Sequence, residues 1–266
     1  MNTRFVILVA AARLWAHDFW IEPTSFSPQL GQILIVRLRV GQEMMGDPVP
    51  RDPTLLKQFI VADAAGRRPL VGRDGADPAG YLRVEGNGLM VIGYSSNPST
   101  VEMPADKFNQ YLKDEGLDAI LALRARRKQM DAGSHELFSR CAKSLVPAGS
   151  VGRVQTDRSL GFTLELVAER NPCAMRLGDE LPVRLTYQGK ALAGALVVAM
   201  NRLDPGQKLS ERTDAEGRVR FHLSQAGMWL IKSVHMIPAL AGTKADWMSY
   251  WASLTFELPK TEVSRR

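Results

Sequence analysis

Ile33-Leu34-Ile35-Val36-Arg37-Leu38-Arg39-Val40 decides the fold class. It opens as an apolar run and ends in strict alternation, with Val36, Leu38 and Val40 on one side and Arg37 and Arg39 on the other. Side chains along a strand point alternately to its two faces, so this pattern belongs to a half-buried strand rather than a helix. Gly88-Leu89-Met90-Val91-Ile92-Gly93-Tyr94 is a second, more deeply apolar run bracketed by glycines. The stretch from Phe19 to about Tyr94 therefore reads as β-rich. Between these runs, Gly46-Asp47-Pro48-Val49-Pro50-Arg51-Asp52-Pro53 reads as a rigid polar loop with three prolines.

The pattern then changes. Phe108, Tyr111 and Leu112 recur at i, i+3 and i+4 behind a Pro104-Ala105-Asp106 entry. Gly116 interrupts them, and Leu117, Ile120, Leu121 and Arg124 resume the face. This predicts a helical insertion over about 104–145, with Ser134 capping a further helix that begins at His135. After residue 155 the strand pattern returns, with six strands expected at Phe162–Val167, Leu181–Tyr187, Ala195–Met200, Arg218–Leu223, Met228–Met236 and Tyr250–Leu258. Short Gly, Pro, Asp and Asn turns separate them, as in an antiparallel sandwich. In Thr213-Asp214-Ala215-Glu216-Gly217-Arg218, aspartate starts a turn and glycine supplies its positive φ. The expected architecture is mainly β: two antiparallel β-sandwich domains, 17–155 and 156–259, with the helical insertion between them and a tail at 260–266.

Composition fits an exported globular protein. The chain has 266 residues, 45% hydrophobic and 23% charged. Residues 1–16 resemble a secretory signal, with Arg4 as the positive start, Phe5 to Ala12 as the apolar segment and Leu14-Trp15-Ala16 before the cut. This predicts a periplasmic protein that retains no membrane span after processing. The net charge of +6 comes from dispersed basic residues. The one dense group, Arg124-Ala125-Arg126-Arg127-Lys128, lacks the interleaved aromatics of single-strand nucleic-acid binders and reads as a solvated helix end. Cys141 and Cys173 could pair in an oxidising compartment or remain two buried thiols, and spacing alone does not decide between these.

No Gly-x-Ser-x-Gly elbow, phosphate-binding Gly-Lys loop or His-Glu-x-x-His helix occurs in the sequence, so the chain is read as a non-enzyme. Chemistry then falls to four histidines. His222 shares a polar strand face with Arg218 and Arg220, and His135 stands beside Glu136 at a helix entry; both read as surface residues. His235 ends the strand Trp229-Leu230-Ile231-Lys232-Ser233-Val234-His235, on the face of Trp229, Ile231 and Ser233. His17 would become the first residue on cleavage after Ala16. Its α-amine and ring Nδ1 could then chelate one ion, with His235 as a third nitrogen ligand. Such a set suits copper(II), nickel(II) and, less selectively, zinc or cobalt.

His17-Asp18-Phe19-Trp20-Ile21-Glu22-Pro23, the strand through Met236, and Asp246-Trp247-Met248-Ser249-Tyr250-Trp251 together resemble the NikM-like family of exported bacterial proteins. The likeness runs from His17 to about Leu258. It implies a metal-associated β-rich protein with a transthyretin-like or immunoglobulin-like carboxy-terminal module, and it adds Asp246 to the candidate ligands. The resulting expectation is a periplasmic binding protein for nickel, cobalt or copper, with metal ligands His17, His235 and Asp246, helping an inner-membrane transporter. The alternative is a non-enzymatic interaction module binding a protein or glycan, with Trp20, Trp229, Trp247, Tyr250 and Trp251 as contact aromatics or as core. A third possibility is a copper-dependent oxidative enzyme using the same terminal chelate.

Overall fold

The computed structural model describes residues 17–149 and 155–260; the expected signal and cleavage point lie outside them. Seventeen strands and two helices follow in chain order: β1 (Asp18–Pro23), β2 (Ile33–Gln42), β3 (Met45–Val49), β4 (Leu56–Asp63), β5 (Gly66–Pro69), β6 (Gly80–Arg83), β7 (Gly88–Ser96), β8 (Ser99–Met103), α1 (Ala105–Asp114), α2 (Asp118–Arg126), β9 (Ser134–Ala148), β10 (Leu164–Ala168), β11 (Glu180–Tyr187), β12 (Lys190–Ala191), β13 (Leu196–Asn201), β14 (Asp204–Arg212), β15 (Arg218–His222), β16 (Gly227–Pro238) and β17 (Trp247–Leu258). The mainly β class with a helical insertion is thus observed.

The strands form three sheets. A nine-stranded central sheet runs β14-β13-β16-β17-β9-β7-β4-β5, with β8 also on β9. Two four-stranded sheets, β1-β2-β3 with β6 and β10-β11-β12 with β15, cover its two faces. Alternation along the central strands divides the core between them. Met90, Ile92, Ala142, Val146, Met200 and Leu230 pack against Trp20, Leu34, Val36 and Leu38 of the first small sheet. Their odd-numbered or even-numbered neighbours Val91, Cys141, Leu145, Ala199, Ile231 and Leu254 pack against Leu164, Leu166, Val183 and Phe221 of the second. The two expected sandwiches therefore share one sheet. The residues before and after position 155 meet where β17 runs parallel to β9, from Trp247 opposite Glu136 to Thr255 opposite Ser144. A buried ion cluster ties the halves on the second face: Lys143 of β9 donates to Asp157 at 2.9 Å and lies 3.3 Å from Glu165.

The helices cover the end of the first face. Phe108, Tyr111, Leu112 and Ile120 pack on Val234, Met236 and Trp247. Gly116, at φ +64°, turns the chain between them, a conformation that glycine adopts without the Cβ clash.

Three sequence expectations need correction. The helical insertion ends at Arg126, and the segment from Ser134 is the fifteen-residue strand β9 instead of a capped helix. His-Glu-Leu-Phe has no strong strand bias, but β7, β8 and β17 all bond to β9, and tertiary pairing overrides weak local preference. Part of the expected proline loop is β3, an edge strand, where Pro48 costs no ladder bond. Arg124 is not solvated. It is 2% exposed, donates to the carbonyls of Gln129 and Ala132 at 2.7 Å and lies over the Phe108 ring, closing the end of α2. Cys141 and Cys173 are both free thiols. Trp20, Trp229 and Trp247 are core residues.

Candidate functional site

Where β1 enters the first small sheet, a cleft of about 530 Å³ opens between the β2–β3 hairpin, α1 and the central sheet. Its floor is Leu196 and Val198 of β13 with Lys232 of β16; its walls are Gln42 and Glu43, Gln110 and Asp114, and Lys208 of β14. His17 and Asp18 stand at its inner end. Apolar alternation explains this placement. Val234 and Met236 face the helices, so Lys232, two residues earlier on the same strand face, faces the cleft.

Lys232 Nζ lies 2.6 Å from Asp18 Oδ1 and 2.7 Å from Glu115 Oε1, all three side chains being 15% exposed or less. Burial lowers the Lys232 affinity for its proton, but Glu115 and Asp18 more than offset this and hold it above the ordinary lysine value. Burial lifts the Glu115 carboxyl, against the pull of Lys232. The triad joins β1, the end of α1 and β16, and so fixes the cleft's inner wall. Further out the signs alternate: Lys208 lies 3.4 Å from Glu43, and Asp114 accepts from Gln110 at 2.7 Å. A cleft of both signs suits a ligand that carries both signs.

Beyond His17 lies a second, small cavity of about 20 Å³, which His17 shares with Glu136, Arg140, Phe138, Met103 and Trp251. Glu136 is 2% exposed. Its Oε1 accepts from the Ser249 hydroxyl and from Tyr111 OH at 3.2 Å, and Trp251 Nε1 donates to that Ser249 oxygen at 3.1 Å. Glu136 Oε2 is buried with no hydrogen-bond partner among the described residues. Burial pushes the carboxyl up to about 7, against the hydrogen bonds from Ser249, Tyr111 and Trp251. Arg140 lies over the Phe19 ring at 4.7 Å and the Phe138 ring at 5.4 Å.

The structure does not bring His17, His235 and Asp246 together. His235 is three residues beyond Lys232 and so points to the opposite face of the sheet. There its ring lies 4.5 Å from that of Tyr187, opposite Tyr250 in register, and burial lowers its proton affinity. Asp246 meets a different histidine. Its Oδ2 accepts from the His135 backbone N–H at 2.8 Å and lies 3.6 Å from His135 Nδ1, whose ring also faces Glu102 at 3.3 Å. These three side chains are about half exposed or more. His222 is on the surface, as expected. Among the described residues no group of three or more His, Cys, Asp or Glu side chains is arranged to hold a metal ion. Sequence reading passed over Lys232, Glu115 and Glu136. Of these only Lys232 carried a local signal, as the one charge inside an otherwise apolar and uncharged strand run.

A family model described as a domain of unknown function (DUF4198) matches residues 14–237. No curated protein matches the chain. Among solved structures, the chain is similar to the D0-D1 domain of intimin, at 10% identity over 90% of this chain and 97% of that one, with a TM-score of 0.20. It is also similar to a 1.5-MDa bacterial ice-binding adhesin, at 9% identity over 91% of this chain and 63% of that one, with a TM-score of 0.25. TM-scores this low bear on neither ligand nor partner. No helix among the described residues is long and apolar enough to cross a membrane.

Proposed function

Because the chain belongs to the family described as a domain of unknown function (DUF4198), we propose its role from its own geometry: it is an exported, non-enzymatic β-sandwich module whose cleft beside His17 takes a charged segment of a partner protein. The observation that carries this is the cleft of about 530 Å³, set into the molecule and walled by charges of both signs. The buried Lys232–Asp18–Glu115 triad fixes its inner end, which favours a preorganised binding site over a surface dent. Residues 1–16 support export. Metal delivery to a transporter would need His17, His235 and Asp246 on one ion, and their separation weighs against it.

The test is calorimetric titration of the protein with short peptides of alternating acidic and basic residues. Binding should weaken on the order of tenfold in Lys208→Glu and be untouched in Lys190→Glu, on β12 of the opposite small sheet. Equal loss in both variants would reduce the binding to general charge attraction and remove this reading, and tight binding of nickel or copper with no peptide binding would replace it with the metal one.

A further inference from the structure

Glu136 is a buried carboxyl with one satisfied oxygen and one orphan. Its Oε1 accepts from Ser249 and Tyr111, while Oε2 has no hydrogen-bond partner among the described residues. A buried acceptor left unpaired costs stability, so a partner is missing from its surroundings. The cavity that Glu136 shares with His17 has about 20 Å³, enough for one group of water size.

The course of β1 brings the chain to this cavity. Ile21 O accepts from Thr255 at 2.8 Å, and Thr255 stands opposite Ser144 of β9. Two residues earlier, Phe19 lies under Arg140. Two residues earlier again, His17 lines the cavity with Phe138 and Glu136. β1 thus climbs β9 in step, and His17 comes to the cavity of the orphan carboxyl. Residue 17 is also the one that cleavage after Ala16 would leave first.

We infer that Glu136 is the internal receptor for the mature amino terminus: on cleavage, the new α-ammonium of His17 enters the small cavity and pairs with Glu136 Oε2. The peptide nitrogen of an uncut chain has one hydrogen and no charge, and the cut one has three and a positive charge. Processing thereby converts an unpaired buried carboxyl into a charge-assisted pair and locks the base of the cleft wall. The other groups facing the carboxyl are Tyr111 on α1, Ser249 and Trp251 on β17, Met103 and Val101 on β8, and Arg140 on its own strand, with Glu115 behind Tyr111. Arg140 lies over the Phe19 and Phe138 rings.

This inference rests on the export reading above, and the two fail separately. Intact mass of the exported protein tests whether the chain begins at His17; a different first residue overturns the pairing alone, and an uncut chain overturns the export reading as well. The pairing itself is tested on two chains released from a cleavable fusion, one beginning at His17 and one carrying a single alanine before it. The Glu136 carboxyl is titrated in each by side-chain carbon NMR. In the His17 chain its proton affinity should be at least about tenfold lower than in the extended chain, the shift expected of an opposite charge within a few ångström. The thermal stability gap between the two chains at neutral pH should close in Glu136→Gln. Identical Glu136 titration in the two chains overturns the proposal. Should Glu136→Gln fail to fold, the titration of the two unaltered chains decides by itself.

Discussion

At the scale of single residues, burial decides which ionisable groups matter, and sequence does not display burial directly. Glu136 sits in a segment that reads as a surface helix, yet it ends in the core with its carboxyl pushed up to about 7. The sign of the consequence is definite. An acid whose folded value stands above its ordinary 4.5 binds its proton more tightly when folded. Its favourable contribution is therefore fully present below about pH 4.5 and lost as pH rises through about 7. In a chain extended before His17, stability should fall by about 3 kcal/mol across that window, and Glu136→Gln should flatten the fall. Chemical denaturation at a series of pH values measures both. His17 drew attention in the sequence because it stands between a signal-like leader and a strand, and in the structure it lines the cleft. His235 was legible only as a residue on one strand face. Which face that is depends on the layer packed against it, and no local pattern carries that information.

At the scale of elements, alternation worked where one face is buried and failed where neither is. β2, β11, β13, β15, β16 and β17 fall close to their expected places, since each sets an apolar row against the sheet that faces it. β14 escaped notice: Asp204-Pro205-Gly206-Gln207 opens like a turn, and most of the strand is exposed. Edge strands carry little pattern because solvent covers much of them. The β2–β3 hairpin is similar, and its position depends on one close approach. A Cβ on Gly46 would come within 2.6 Å of both the Trp20 ring and the Val40 carbonyl oxygen. Trp20 is fully buried and cannot yield without moving the first small sheet. Gly46→Ala should therefore cost about 1–3 kcal/mol, read as a lowered thermal midpoint with altered tryptophan fluorescence. The same exposed substitution at Gly66, whose Cβ would meet nothing within 4 Å, should lack the fluorescence change, although its φ of +118° also strains it.

At the scale of the molecule, the shared central sheet governs everything else. The parallel β9–β17 seam joins residues more than a hundred positions apart, and no short-range signal announces such a pairing. Reading each half by its own alternation gives two sandwiches; the seam fuses them. A fragment of residues 155–260 should consequently fail to fold cooperatively, because β17 loses β9, the second core loses Val91 and Leu145, and Asp157 and Glu165 are left buried without Lys143. Removing one partner from a buried ion cluster alone costs about 3–5 kcal/mol. A sharp unfolding transition in that fragment would show instead that the halves are independent. The seam also gives the protein two chemically distinct faces, one bearing His17 and the cleft, the other bearing His235 between tyrosines. The most direct test of the account is an amide chemical-shift map of the intact, isotope-labelled protein titrated with a mixed-charge peptide. Shifts confined to His17, Gln42, Gln110, Lys208 and their neighbours are the predicted result. Shifts centred on Tyr187, His235 and Tyr250 would contradict it.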